Sequence, residues 1–202
     1  MRTTVIPVYR NRSTRFLVAA ALALLVAGST AEAAEVTERQ FVSGGTVRLE
    51  LDAGEYEVVG SRDDRIRVTW DDGQRNTEVS LRIDVKAQRA TVRTDTPWND
   101  GAKVRIELPR RTNIVVRLTA GDLEISGIEG SKDISAHAGD VTIDVGSRDQ
   151  YRYATASVRV GDLNADAFNV HKEGLFRSFE WTGTGKYELR AHLTVGDLRL
   201  DR

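Results

Sequence analysis

The chain contains no cysteine in 202 residues, which excludes disulfide bonds, cysteine-ligated zinc and a thiol nucleophile. It has few prolines, and its three histidines, His137, His171 and His192, are not at metal-ligand spacing from one another. No serine lies in a Gly-x-Ser-x-Gly nucleophile elbow. The sequence therefore predicts no cofactor and no metal site, and its stability must come from packing and strand hydrogen bonds.

An excess of basic charge is also missing. Residues 1–33 contain four arginines and one glutamate, which leaves 25 basic and 29 acidic residues in the rest of the chain and a formal net charge of −4. Phosphate binding needs a basic face, so this balance argues against a nucleic-acid partner. It also provides no polybasic attraction to anionic lipid.

Long apolar runs are confined to residues 16–27, near the N-terminus. A stretch with four arginines precedes this run, and Ala31-Glu-Ala33 follows it as an Ala-x-Ala site. The pattern predicts a Sec-type signal peptide over residues 1–33, cleaved near Ala33, and hence a periplasmic or secreted protein without stable membrane insertion after cleavage. A retained anchor is the alternative, although the run is shorter than the roughly 20 residues that a membrane-spanning helix needs.

A repeated pattern of apolar residues, interrupted by a glycine and an acid, runs through the remaining chain. Counted from the glycine, the apolar positions lie five, three and one residues before it, then two and four residues after it. Internal repetition of this kind is a stronger indication of the architecture than any single residue. The five copies are Leu49–Val58, Val116–Ile125, Ile134–Ile143, Ala156–Ala165 and Ala191–Leu200.

The apolar alternation shifts by one residue at each glycine-acid pair. A straight strand would then turn its apolar residues outward, because a one-residue slip moves every side chain to the opposite face. The pair must therefore form a bulge or corner, for which glycine supplies positive φ and a short carboxylate bonds nearby backbone N–H groups. The predicted corner residues are Gly54, Gly121, Asp122, Gly139, Asp140, Gly161, Asp162, Gly196 and Asp197.

These corners predict an all-β, β-solenoid-like or β-roll-like stack of short strands, and a two-sheet β-sandwich of bent strands is the alternative. Steps of 18 and 22 residues between successive glycines from Gly121 resemble single coils, whereas the next step of 35 residues, from Gly161, is too long for one. Residues 34–202 are expected to form one domain, since no Pro/Ser-rich linker divides them. Further strands are predicted at Ile66–Trp70, Val79–Val85, Ala90–Thr94 and Val104–Leu108.

The Gly-Asp-[Val/Leu] units at Gly121, Gly139, Gly161 and Gly196 resemble the repeats of the bacterial putative adhesin family of unknown function. Residues 53–58 look like a divergent opening copy, and residues 177–187 look like the end of such domains. The resemblance covers roughly residues 36–202. It implies an exported, β-solenoid-like protein and no established activity.

Two groups of residues are candidates for binding. The aspartates of the four Gly-Asp pairs could line up as a calcium-binding ladder, but calcium β-rolls use several glycines in each short repeat, so corner chemistry is the favoured explanation of these aspartates. Trp98 lies in the polar loop Pro97–Gly101 and is the best candidate for a partner contact, since exposed tryptophans anchor proteins or sugars. Capping of the open end of the stack is the favoured role of Trp98, and the same role is expected of Trp181.

The combined prediction is an exported, non-catalytic envelope protein that binds an unknown protein or glycan, or has a structural role, in the manner of a putative adhesin. A small polysaccharide-acting enzyme is one alternative, because paired carboxylates for glycoside hydrolysis meet in space rather than in sequence. The resemblance adds an accessory protein of an envelope-stress regulatory system as another alternative.

Overall fold

Strands account for most of the residues that the computed structural model describes, which are 35–71, 80–95 and 103–202. Within these ranges there is no α-helix, and two 3₁₀ turns lie at Arg148–Gln150 and Asp166–Phe168. The all-β prediction is confirmed. The strands are β1 (Glu35–Gln40), β2 (Thr46–Ser61), β3 (Arg65–Asp71), β4 (Ser80–Lys86), β5 (Arg89–Asp95), β6 (Lys103–Pro109), β7 (Asn113–Ser126), β8 (Lys132–Ala138), β9 (Val141–Asp144), β10 (Tyr151–Val160), β11 (Leu163–Ala165), β12 (Val170–Lys172), β13 (Leu175–Thr182), β14 (Tyr187–Val195) and β15 (Leu198–Asp201).

Each repeat forms a coil, which we define as a first arm, a corner at the glycine-acid pair and a second arm. In β2 and β7 both arms belong to one continuous strand, whereas β8–β9, β10–β11 and β14–β15 each provide the two arms as separate strands. The strands β5 and β6 pair in parallel with the first and second arms of β2, so they form a further coil without a Gly-Asp pair.

The coils stack in parallel in the order β5–β6, β2, β7, β8–β9, β14–β15, β10–β11. Antiparallel strands close both ends of this stack. At one end β4 pairs with β5, β3 pairs with β6 and β1 pairs with β3; at the other end β13 pairs with β10 and β12 pairs with β11. The sheet path through the described residues runs from β1 to β13 and is open.

The order of the coils in space differs from their order in the sequence. The coil that contains Gly196 lies between the coils of Gly139 and Gly161, since β14 pairs with β8 on one side and with β10 on the other. The interpretation of the 22-residue step from Gly139 to Gly161 as one coil would make these two glycines neighbours in the stack. This interpretation is therefore wrong. The long step before Gly196 arises because the chain first forms β12 and β13, then passes over β10 to enter the stack.

Four positions of every repeat are buried and form one core, which explains why both arms keep an apolar face inward despite the phase shift. They lie five and three residues before the glycine and two and four residues after it. The position directly before the glycine differs from the prediction, because Val160 and Val195 are 43% and 47% exposed there. The buried residues are Leu49, Leu51, Tyr56, Val58, Val116, Leu118, Leu123, Ile125, Ile134, Ala136, Val141, Ile143, Ala156, Val158, Leu163, Ala165, Ala191, Leu193, Leu198 and Leu200.

Aromatic side chains cover the core beside β10 and β11. The ring of Phe168 lies 5.3 Å from that of Phe179 and 5.4 Å from that of Trp181, which is half-buried. Strand β13, which carries Phe179 and Trp181, had no strand signal of its own in the sequence analysis. It forms because its inward side chains replace a neighbouring coil at the end of the stack.

Candidate interaction surface

The corner glycines form a column through the stack in which neighbouring backbones nearly touch. Gly54 pairs in register with Gly121, and φ is between +106° and +128° at Gly121, Gly139, Gly161 and Gly196. A Cβ atom at Gly139 would lie 1.9 Å from the carbonyl oxygen of Gly121, and one at Gly196 would lie 2.0 Å from that of Gly139. Glycine is thus required both for its φ and for the close approach of adjacent coils.

The aspartates beside these glycines link successive coils. The Oδ1 atoms of Asp122, Asp140 and Asp197 accept hydrogen bonds from the backbone N–H of the aspartate in the next coil, over 3.4, 3.3 and 3.2 Å. Asp162 is the last donor of this ladder, and Glu55, at the equivalent position of the first copy, instead forms an ion pair with Lys103. Among the described residues no three histidine, aspartate or glutamate side chains converge as a metal-ligand set.

The outward side chains of the first arms form a flat polar surface, which we call the first-arm face. Residues four positions before each glycine pair across the coils, with Arg117 beside Glu50 and Ser135 beside His192. Nδ1 of His192 lies 2.8 Å from the hydroxyl of Ser157 on the next coil. A shallow groove on this face is lined by Thr119, His137 and Thr194 together with Glu50, Asp52, Arg93, Arg117, Ser135 and His192.

An exposed apolar cluster lies where the corner column reaches β13. We define the end patch as Val160, Val195, Leu175 and Phe176. Val160 pairs with Val195 on one side and with Leu175 on the other, so three of the four residues form a continuous row. Leu175 is 58% and Phe176 is 76% exposed.

The backbone around the end patch is unusual. Phe176 has φ of +54°, a conformation that few bulky residues adopt, and Gly174 before it has φ of +105°. Nζ of Lys172 donates a hydrogen bond of 2.6 Å to the carbonyl oxygen of Ser178 in β13. Strained backbone conformations of this kind persist only where the surrounding structure holds them, and they occur often at binding sites.

A buried lysine joins the starts of β8 and β10 and was missed by the sequence analysis. Lys132 is 1% exposed, and its Nζ donates hydrogen bonds to the carbonyl oxygen of Ile128 at 2.8 Å and to the hydroxyl of Tyr151 at 2.6 Å. Burial lowers the pKa of Lys132 to about 8 against the opposing charges of Asp144 and Glu129, and burial raises the pKa of Tyr151. The signal was present, since Lys132 precedes the inward residues Ile134 and Ala136 in the same alternation.

The predicted contact residue Trp98 lies outside the described residues, as does the loop Pro97–Gly101. Its place in the chain is nevertheless informative: residues 96–102 connect β5 to β6, the two arms of one coil. They therefore occupy the chain position at which the other coils carry their glycine-acid pairs. The predicted signal peptide, residues 1–33, also lies outside the described ranges. Within the described ranges, no helix is long and apolar enough to cross a membrane.

Comparison with solved structures finds several chains that are similar to this one. A putative cell adhesion protein from Clostridium sporogenes ATCC 15579 aligns with 84% of this chain and 99% of its own, with a TM-score of 0.51 and 15% identity. Putative adhesins from Bacteroides fragilis NCTC 9343 and Parabacteroides merdae ATCC 43184 align with 84% and 56% of this chain, and with 97% and 59% of their own chains. Their TM-scores are 0.29 and 0.28, at 10% identity in both cases. No family model and no curated protein matches the sequence. The Clostridium protein and this chain share a fold.

Proposed function

We propose that this protein is an exported, non-catalytic, adhesin-like binding module of the bacterial envelope, and that the end patch is its contact with a protein partner. The observation that carries the proposal is the exposure of Leu175 and Phe176 beside Val160 and Val195. The shared fold with a protein described as a putative cell adhesion protein supports the adhesin-like role. The predicted signal peptide supports export.

The chemistry of the end patch favours a protein surface with an apolar contact of its own. Apolar side chains with polar neighbours are typical of protein interaction sites, and the exposed residues Arg159, Lys172 and Glu173 lie within three residues of the end patch in the sequence. Aromatic residues supply most of the binding energy in such contacts because they bury a large area with few rotatable bonds. Phe176 is the residue that we expect to contribute most.

A glycan ligand is the second candidate, and the first-arm face is the surface that favours it. Thr119, His137 and Thr194 line its groove and offer donors and acceptors to sugar hydroxyl groups. A glycan array with the purified domain, repeated with His137→Ala, tests this candidate. Release of reducing ends from bacterial polysaccharides by the purified protein would contradict the non-catalytic proposal.

The double variant Leu175→Ser/Phe176→Ser is expected to recover at least tenfold less of a bound envelope protein than the wild type does. The substitutions remove the apolar contact while the fold is kept. The measurement is quantitative pull-down from envelope extracts of the native organism, with melting temperature as a check on folding. Val36→Ser is the matched control, since Val36 is 52% exposed on β1 at the opposite end of the stack. Equal recovery by the double variant and the control would reject the end patch as the contact.

Export predicts a specific mass for the mature protein. Bacteria that express the full chain should release a protein that begins at Ala34 into the periplasm or medium, as judged by intact-mass measurement of each fraction. Ala33→Asp places a charge in the Ala-x-Ala site and should block this processing. A full-length chain that remains in the cytoplasm would contradict export without affecting the binding test, which uses the purified domain.

A further inference from the structure

The last coil of the chain lies inside the stack. Strands β14 and β15 follow the other strands in the sequence, yet they occupy the position between β8–β9 and β10–β11. Both flanking coils precede them in the sequence. The stack is therefore completed by residues 187–201, which insert between two coils that come earlier in the chain.

The contacts of this segment, residues 187–201, do not depend on its covalent link to β13. Its strand partners are β8 and β9 on one side and β10 and β11 on the other, all parallel. The glycine column fixes its register, because Gly196 lies against Gly139 and Gly161 lies against Gly196. Its inward side chains are at most 4% exposed, so an unfilled position would leave a large apolar slot; they are Leu189, Ala191, Leu193, Leu198 and Leu200.

The connection that leads into the segment is short and crowded. Residues 183–186 pass over the start of β10, where the N–H groups of Gly183 and Gly185 donate to the carbonyl oxygens of Arg152 and Tyr151. A Cβ atom at Gly185 would lie 2.1 Å from the carbonyl carbon of Gln150, although Gly185 has no positive φ. Glycine is needed there only because the connection crosses β10 tightly.

We propose that residues 187–201 exchange between two copies of the chain, so that each copy inserts its β14–β15 between the β8–β9 and β10–β11 coils of the other. The strand contacts are the same in the closed monomer and in this exchanged dimer. The balance between the two forms therefore depends on protein concentration and on the connection at residues 183–186. The partner is a second copy because its residues 187–201 bring to the slot the same inward side chains and the same Gly196-Asp197 contacts as the closed monomer does.

Cysteine pairs can report the exchange cleanly because the chain has no cysteine. Ser135 of β8 and His192 of β14 are directly paired, so Ser135→Cys/His192→Cys should form a disulfide across the edge of the exchanging segment. In the closed monomer this bond joins one chain to itself. In the exchanged dimer it joins two chains, which then migrate as a dimer on a non-reducing denaturing gel.

The control pair joins two coils that do not exchange. Arg117 of β7 and Ser135 of β8 are also direct neighbours, so Arg117→Cys/Ser135→Cys should give a monomer-sized product under all conditions. Both proteins are refolded from denaturant at concentrations from about 1 to 500 μM and then oxidised. For the β8–β14 pair we expect the dimer-sized fraction to rise with concentration.

A hinge variant should increase the exchange. Gly185→Val prevents the tight crossing but suits an extended connection, so it should raise the dimer-sized fraction at least tenfold at a given concentration. Gly146→Ala is its control, since a Cβ atom at Gly146 meets nothing within 4 Å and therefore does not touch the connection.

A monomer-sized product of the β8–β14 pair at every concentration would overturn the proposal. If Gly185→Val does not fold, the concentration series with the native connection decides alone. Neither result bears on the binding test of the end patch, which is a pull-down rather than an oligomeric measurement.

Discussion

Gly139→Val is expected to lower the melting temperature by roughly 10–20 °C, which corresponds to about 4–5 kcal/mol for a domain of this size. Two costs combine at this position. A β-branched side chain is strained at φ of +119°, and its Cβ atom would lie 1.9 Å from the carbonyl oxygen of Gly121. The neighbouring coils must then separate, which breaks the parallel pairing on both sides.

A pair of alanine variants separates the close approach from the general cost of a positive φ. Gly146 has φ of +67° and open space around it, so Gly146→Ala should cost only about 1–2 kcal/mol. Gly139→Ala should cost clearly more, because its methyl group meets the backbone of the adjacent coil. Thermal unfolding followed by circular dichroism provides the comparison. Equal losses in the two variants would refute the role assigned to the coil contact.

The free energy of unfolding is expected to rise by about 2 kcal/mol between pH 8 and pH 10, and Lys132→Met should remove this rise. A lysine pKa that falls from 10.5 to about 8 on folding corresponds to roughly 3 kcal/mol in total, and most of this energy is gained between these two pH values. In this range the unfolded chain keeps the Lys132 proton and the folded chain has lost it, so stability increases with pH. Above pH 10 the raised pKa of Tyr151 acts in the opposite direction, because the unfolded tyrosine ionises first.

Chemical denaturation at a series of pH values measures this dependence. Lys172→Met is the matched control, since Lys172 is exposed and should leave the rise intact. Superimposable pH profiles for the wild type and Lys132→Met would show that Lys132 remains charged in the folded protein at these pH values. At pH 7 the Lys132→Met variant should be close to the wild type in stability, because loss of the hydrogen bonds to Ile128 and Tyr151 offsets removal of a buried charge.

Local patterns predicted the fold class and the interior well. The one-residue shift at Gly121 or Gly139 follows from strand geometry alone, so the buried positions on both sides of each corner could be read from the sequence. Val160 and Val195 are exceptions. The corner already turns the chain at the residue before the glycine, and there alternation no longer indicates which face is buried.

The order of the coils could not be derived in the same way. Every coil presents the same apolar positions and the same glycine to its neighbours. The sequence therefore does not show whether the coil of Gly161 or the coil of Gly196 lies next to the coil of Gly139. The pairing depends on the route of the chain through β12 and β13, and β13 acquires its strand conformation from packing at the end of the stack. The end patch was missed for a related reason, because exposure of Leu175 and Phe176 depends on β13 being an outermost strand.

The internal position of the coil β14–β15 also constrains the order in which the core can form during synthesis. Strands β10 and β11 lack their parallel neighbour until residues 187–201 are available, so this part of the core cannot be completed before the ribosome has synthesised them. Pairings so distant in sequence are slow to form. This topology therefore opposes folding coil by coil from the N-terminus, and the coils of Gly139 and Gly161 join only when the later segment arrives.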